Sequence, residues 1–84
     1  MDTGIKNEKL QATRTAYGLS QSQLAAAAGI NTRMLQYYEQ GRKDLNSAKL
    51  STLLKLCLAL NCGLEDILTD NETIKLLGQY RTVA

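Results

Sequence analysis

The chain has no histidine, no proline and only two cysteines in 84 residues. Without histidine it lacks the commonest general base and the commonest metal ligand. Ser20, Ser22 and Ser47 have no identifiable base to activate them. Glu65 and Asp66 are sequence neighbours, so on a helix they diverge and form no acid–base pair. No phosphate-cradling glycine loop is present. The chain therefore reads as a non-enzyme. Cys57 and Cys62 are too few for a zinc site, which takes about four ligands. They read as buried, reduced thiols of a cytosolic protein, and a disulfide between them would distort the helix that holds Cys57. No metal and no cofactor are expected. The N-terminus shows no basic region followed by an apolar run, so no signal peptide is expected. The longest apolar stretch, Leu50 to Leu60, is broken by Ser51, Thr52 and Lys55 and is too short to span a bilayer. A cytoplasmic protein with no membrane partner is expected.

The absence of proline and of alternating β-branched runs has a positive counterpart. Ala, Leu, Gln, Lys and Glu are plentiful, and all favour helix. The composition predicts one small all-α domain, whose core supports only a few kcal/mol of net stability. The net charge of +2 says little, but its distribution says more. Residues 1–63 carry Lys6, Lys9, Arg14, Arg33, Arg42, Lys43, Lys49 and Lys55 against Asp2, Glu8, Glu39 and Asp44. Residues 64–84 carry Lys75 and Arg81 against Glu65, Asp66, Asp70 and Glu72. A basic body with a mildly acidic tail fits a polyanion-binding face on one side.

Glycines divide the chain. A first helix is expected from about Asn7 to Tyr17, capped by Asn7 and ended by Gly18. Ser20-Gln21-Ser22-Gln23 reads as a capping box that starts a second helix, stopped by Gly29. A third helix, capped by Asn31 or Thr32, runs to Glu39 or Gln40 and closes at Gly41. About three residues separate the second and third helices, too few for antiparallel packing and suited to a sharp bend. After a loop over residues 41–48, Leu50, Leu53, Leu54 and Cys57 fall at i, i+3, i+4 and i+7, with Leu60 extending the stripe. Leu56 and Leu58 widen that apolar surface, and Asn61 ends the helix. A short fifth helix is expected over Leu64 to Leu68. The tail from Asn71 has room for a sixth, with Asn71 as its cap.

Two short helices joined by a glycine-containing turn form a helix-turn-helix, whose second helix enters the DNA major groove. In the third helix Leu35 and Tyr38 share the core face. Arg33, Gln36, Tyr37 and Gln40 fall at i, i+3, i+4 and i+7 on the other side, with no carboxylate among them. Arginine reads guanine, glutamine reads adenine, and a tyrosine hydroxyl reaches phosphate. The same pattern, taken alone, also suits an ordinary solvated helix face.

From about Leu10 to Thr69 the sequence resembles the Cro/CI-type (XRE-like) helix-turn-helix family of bacterial and phage repressors. The resemblance rests on three stretches in the family's order: TAYGLSQSQLAAAAGI after Arg14, LQYYEQGRKD, and LSTLLKLCLALNCGLEDIL. It implies a five-helix lambda-repressor-like DNA-binding domain over residues 1–70 and a C-terminal tail over 71–84. It implies that Thr32, Arg33, Gln36 and Tyr37 read bases, and that Gln40, Arg42 and Lys43 hold phosphates. Gln21 would bond a phosphate and brace a base-reading side chain. Arg14 and Glu39 would form a partly buried ion pair between the first and third helices, with a phosphate contact as the other role open to Arg14. The sequence departs from the family at three places. Thr13 replaces an aliphatic residue, the loop from Gly41 to Leu50 is longer, and Tyr37 is bulky for a base reader.

The expected partners are double-stranded DNA and a second copy of the chain, since one module makes few contacts and a dimer matches a palindromic site. The tail, with Ile74 and Leu77, is the candidate dimer element, and packing within the chain is its other reading. A protein-interaction module on the same fold, such as an antitoxin or a regulator's partner, is the alternative function. It would use the tail or the Tyr37–Tyr38 edge.

Overall fold

Three helix ends are written in side chains that fold back on their own backbone. The computed structural model describes residues 7–83, so Asp2 and Lys6, counted in the charge balance above, lie outside the described residues. Helix α1 is Glu8–Tyr17, and the Asn7 side chain accepts from the Leu10 N–H. Helix α2 is Gln21–Ala28. Ser20 accepts from the Gln23 N–H, and Gln23 accepts from the Ser20 N–H in return. Helix α3 is Thr32–Gln40, with Asn31 rather than Thr32 as its cap. Gly29 and Gly41 end α2 and α3 at φ of 69° and 79°, where a side chain is strained. At Gly29 an added Cβ would meet nothing within 4 Å, so the demand for glycine there comes from the backbone alone.

Helix α4 is Leu50–Leu60, and Asn61 ends it in the left-handed region at φ 52°. The buried face of α4 corrects the expected stripe. Leu53, Leu56, Cys57 and Leu60 are buried, whereas Leu50, Leu54 and Leu58 are exposed. Both sets fit helical spacing in a segment that is leucine nearly all round, so periodicity alone cannot choose between them. Packing against α2 chooses Leu56, which lies at 0% exposure between the bundle's helices, while Leu58 lies at 83%.

The expected fifth helix is also corrected. Leu64–Asp66 forms a single 3-10 turn, with the Asp66 carboxylate accepting from the Gly63 N–H. This turn still delivers Ile67 and Leu68 to the core. The fifth α-helix is the tail, α5, over Asn71–Val83. At its start Asp70, not Asn71, accepts from the Thr73 N–H at 3.3 Å and from the Thr73 hydroxyl. The long loop after Gly41 contains a second 3-10 turn, Leu45–Ser47, which buries Leu45. Asn46 locks this loop to the chain before α5 by accepting from the Thr69 and Asp70 N–H groups at 2.9 and 3.0 Å.

The core is one cluster, with Leu10, Leu24, Leu35, Leu45, Leu56, Leu60, Ile67 and Leu68 fully enclosed. Alanines 25 and 28 are buried in it and let α2 lie close to α3 and α4. The described residues contain no strand. None of their helices is long and apolar enough to cross a membrane.

Candidate nucleic-acid interface

The geometry of the site begins at α2. Its short length and the three-residue connection hold α3 at a bend with its outer face free. Leu35 and Tyr38 anchor α3 from below, at 0% and 7% exposure. Burial also pushes the Tyr38 hydroxyl above its ordinary pKa. On the outer side Arg33 and Gln40 are exposed, and Thr32, Gln36 and Tyr37 are half-buried.

Past Gly41 the chain folds back, and Arg42 and Lys43 both donate their N–H groups to the Tyr37 carbonyl, at 2.8 and 3.2 Å. That turn keeps Arg42 and Lys43 exposed at the C-terminal end of α3, beside Gln40. Arg42 also lies over the Tyr37 ring, 5.6 Å from its centroid, a cation–π contact. The Tyr37 ring thus faces the first side chain of the loop. The structure therefore gathers Thr32, Arg33, Gln36, Tyr37, Gln40, Arg42 and Lys43 along one helix and the turn that follows it.

Beneath this face lies a polar network. Arg14 Nε donates to Glu39 Oε2 at 2.7 Å, and Nη2 donates to Glu39 Oε1 at 3.1 Å. Arg14 Nη1 also donates to the Leu19 carbonyl at 2.9 Å. The pair is largely enclosed, at 12% and 4% exposure, and the bond to Glu39 raises the Arg14 pKa. Arg14 thus spends three of its five N–H donors inside the bundle. Gln21 joins the pair by donating from Nε2 to Glu39 Oε1 at 3.0 Å, and Gln36 Nε2 donates to Gln21 Oε1 at 3.4 Å.

Three roles were not visible in the sequence. Lys9 belongs to the basic count, yet its Nζ donates to the Glu65 and Leu68 carbonyls at 2.6 and 2.5 Å, so it ties α1 to the far end of the chain. Asn7 does the same from a buried position, with its Nδ2 donating to the Ile67 carbonyl at 3.0 Å. Thr13, where an aliphatic residue was expected, donates to the Asp66 carbonyl at 3.1 Å. These contacts join residues more than fifty positions apart, beyond the reach of any local pattern. Among the described residues no three His, Cys, Asp or Glu side chains form a group able to hold a metal.

In the tail Ile74 packs against the core, as its within-chain reading expects, and Leu77 is half-buried. The free apolar stripe of α5 is Leu76, Tyr80 and Val83, at i, i+4 and i+7. Arg81 of α5 pairs with Glu65 at 2.9 Å.

A helix-turn-helix family model matches residues 10–67. The crystal structure of the restriction-modification controller protein C.AhdI from Aeromonas hydrophila superimposes with a TM-score of 0.65 and 31% identity, over 73% of this chain and 88% of that one. A search of curated proteins gave no match. The bend between α2 and α3, the buried pair beneath them and the extent of both matches lead to one assignment: the chain belongs to the Cro/CI-type (XRE-like) helix-turn-helix family.

Proposed function

We propose that the chain binds double-stranded DNA sequence-specifically as a homodimer and acts in the cytoplasm as a non-enzymatic transcriptional repressor or autoregulator. The observation that carries this is the outer surface of α3 with its turn. Arg33, Gln36, Tyr37, Gln40, Arg42 and Lys43 stand together without a carboxylate, on a helix whose other face is anchored in the core. Thr32, Arg33, Gln36 and Tyr37 read base edges. Gln21, Gln40, Arg42 and Lys43 hold phosphates, which adds affinity but no sequence choice, and the cations Arg42 and Lys43 add salt dependence.

Residues 1–70 form the DNA-binding unit, and residues 71–84 supply the dimer contact. Leu76, Tyr80 and Val83 are apolar, exposed and in register on one helix, which is what a self-complementary contact uses. The likeness to a restriction-modification controller protein supports the autoregulator role. Footprinting on DNA upstream of the chain's own coding sequence tests it. The expected result is protection of two symmetric half-sites about one helical turn apart. Absence of protection there would overturn autoregulation.

A second reading, a protein-interaction module, is favoured by one observation: Leu50, Leu54 and Leu58 form an additional exposed apolar row on α4. If it held, Arg33→Ala would leave partner binding intact and Leu54→Asp would abolish it. The buried Tyr38 takes no part in such a contact.

A further inference from the structure

The carboxylate of Glu39 does more than an ion pair with Arg14 requires. It takes two bonds from Arg14 and a third from Gln21 Nε2, on Oε1. A carboxylate only accepts hydrogen bonds. Gln21 must therefore turn its NH2 group inward, which leaves its carbonyl oxygen facing α3. That oxygen accepts from Gln36 Nε2. The donor end of Gln36 is thus aimed at Gln21, and its Oε1 is left at the opposite side of the amide.

The order of donor and acceptor matters for reading a base. Glutamine recognises adenine by giving an N–H to N7 and accepting from the N6 amino group, so the amide must face the groove one way round. An untethered amide populates both orientations and loses freedom on binding. One held beforehand loses less, which sharpens discrimination.

We infer that Glu39 is a positioning residue for specificity, acting through Gln21 to fix the orientation of Gln36. The chain of contacts runs from α1 (Arg14) through the end of α3 (Glu39) and the start of α2 (Gln21) to the outer face of α3 (Gln36). The inference rests on the proposal that α3 reads base edges. An ion pair whose whole task was to join α1 to α3 would work equally well with Gln21 turned away.

The test is selection from a random-sequence duplex pool with the full chain and the variants Gln36→Ala, Glu39→Gln and Gln21→Met, each checked for helicity by circular dichroism. Gln36→Ala locates the base pair that Gln36 reads. Glu39→Gln introduces an amide that donates as well as accepts, and Gln21→Met breaks the relay while sparing the ion pair. Both are expected to reduce the preference at that base pair from about tenfold or more to within about twofold. The preferences at the other positions stay unchanged, while Gln21→Met also lowers the overall affinity by the phosphate contact that Gln21 holds. If Glu39→Gln does not fold, Glu39→Asp replaces it, because it keeps the charge that Arg14 needs but withdraws the carboxylate from Gln21.

A folded Glu39 variant with full preference at that base pair, or with a uniform loss at every position, would overturn the inference. So would a Gln36→Ala variant that alters no base pair, although DNA reading by the other side chains would then stand. A wild-type chain that enriches no motif would overturn both the inference and the reading beneath it.

Discussion

At the residue scale, the largest energetic demands sit on the few polar groups taken out of water. Glu39 is 4% exposed and Arg14 12%, so removing either leaves the other charge stranded. Glu39→Ala is expected to lower the unfolding free energy by about 3–5 kcal/mol, read from urea denaturation. The Glu65–Arg81 pair, at 40% and 50% exposure, is screened by solvent, and Arg81→Ala should leave the urea midpoint unchanged. Cys57 makes the pH prediction. Burial first, and the neighbouring Cys62 next, push its thiol from 9.0 up to about 12. The folded state therefore prefers the protonated thiol more than the unfolded chain does. That stability is complete below about pH 9 and is lost as the pH rises toward 12. Tyr38 shifts in the same direction by burial. Helicity followed by circular dichroism should fall across this window, and Cys57→Ala should flatten the fall. An unchanged slope in that variant would mean that the thiol contributes nothing.

At the scale of elements, what could be read from the sequence divides by distance along the chain. The Ser20–Gln23 capping box, the Asn7 and Asn31 caps and the glycine stops each involve residues within about four positions, so local pattern reveals them. The expected α4 stripe holds at Leu53, Cys57 and Leu60 but not at Leu50 and Leu54, because Leu50, Leu54 and Leu58 satisfy the helical period as well as the buried set does. Only the approach of α2 breaks that degeneracy. Leu64 to Leu68 was read as a helix, but only one 3-10 turn forms there, opened by the Gly63 N–H bond to Asp66. The corrected face makes a paired prediction. Leu56→Ala should cost about 2–5 kcal/mol and Leu58→Ala less than about 0.5 kcal/mol in urea denaturation. For α5, Leu76→Asp should leave the monomer folded and shift sedimentation from dimer to monomer. A Leu76→Asp variant that sediments as wild type would remove α5 from the interface.

At the scale of the whole molecule, the basic face is narrower than the charge count suggested. Lys9 is occupied by two carbonyls and Arg14 by Glu39, while Arg33, Arg42 and Lys43 stay exposed at α3 and its turn. Arg42 and Lys43, past the end of α3, were singled out by the family resemblance, whereas Arg33 was legible in the sequence because the face of α3 opposite Leu35 and Tyr38 follows from periodicity. The network under that face was not, because Gln21 and Glu39 lie eighteen positions apart and meet only when α2 and α3 bend together. The most direct test of the central claim, that this face reads DNA sequence, is selection from a random duplex pool at two salt concentrations with Arg33→Ala as control. The account predicts a palindromic motif that Arg33→Ala loses or relaxes at one position in each half-site. Weak, steeply salt-dependent binding with no enriched motif would contradict it, since the face would then meet only phosphate.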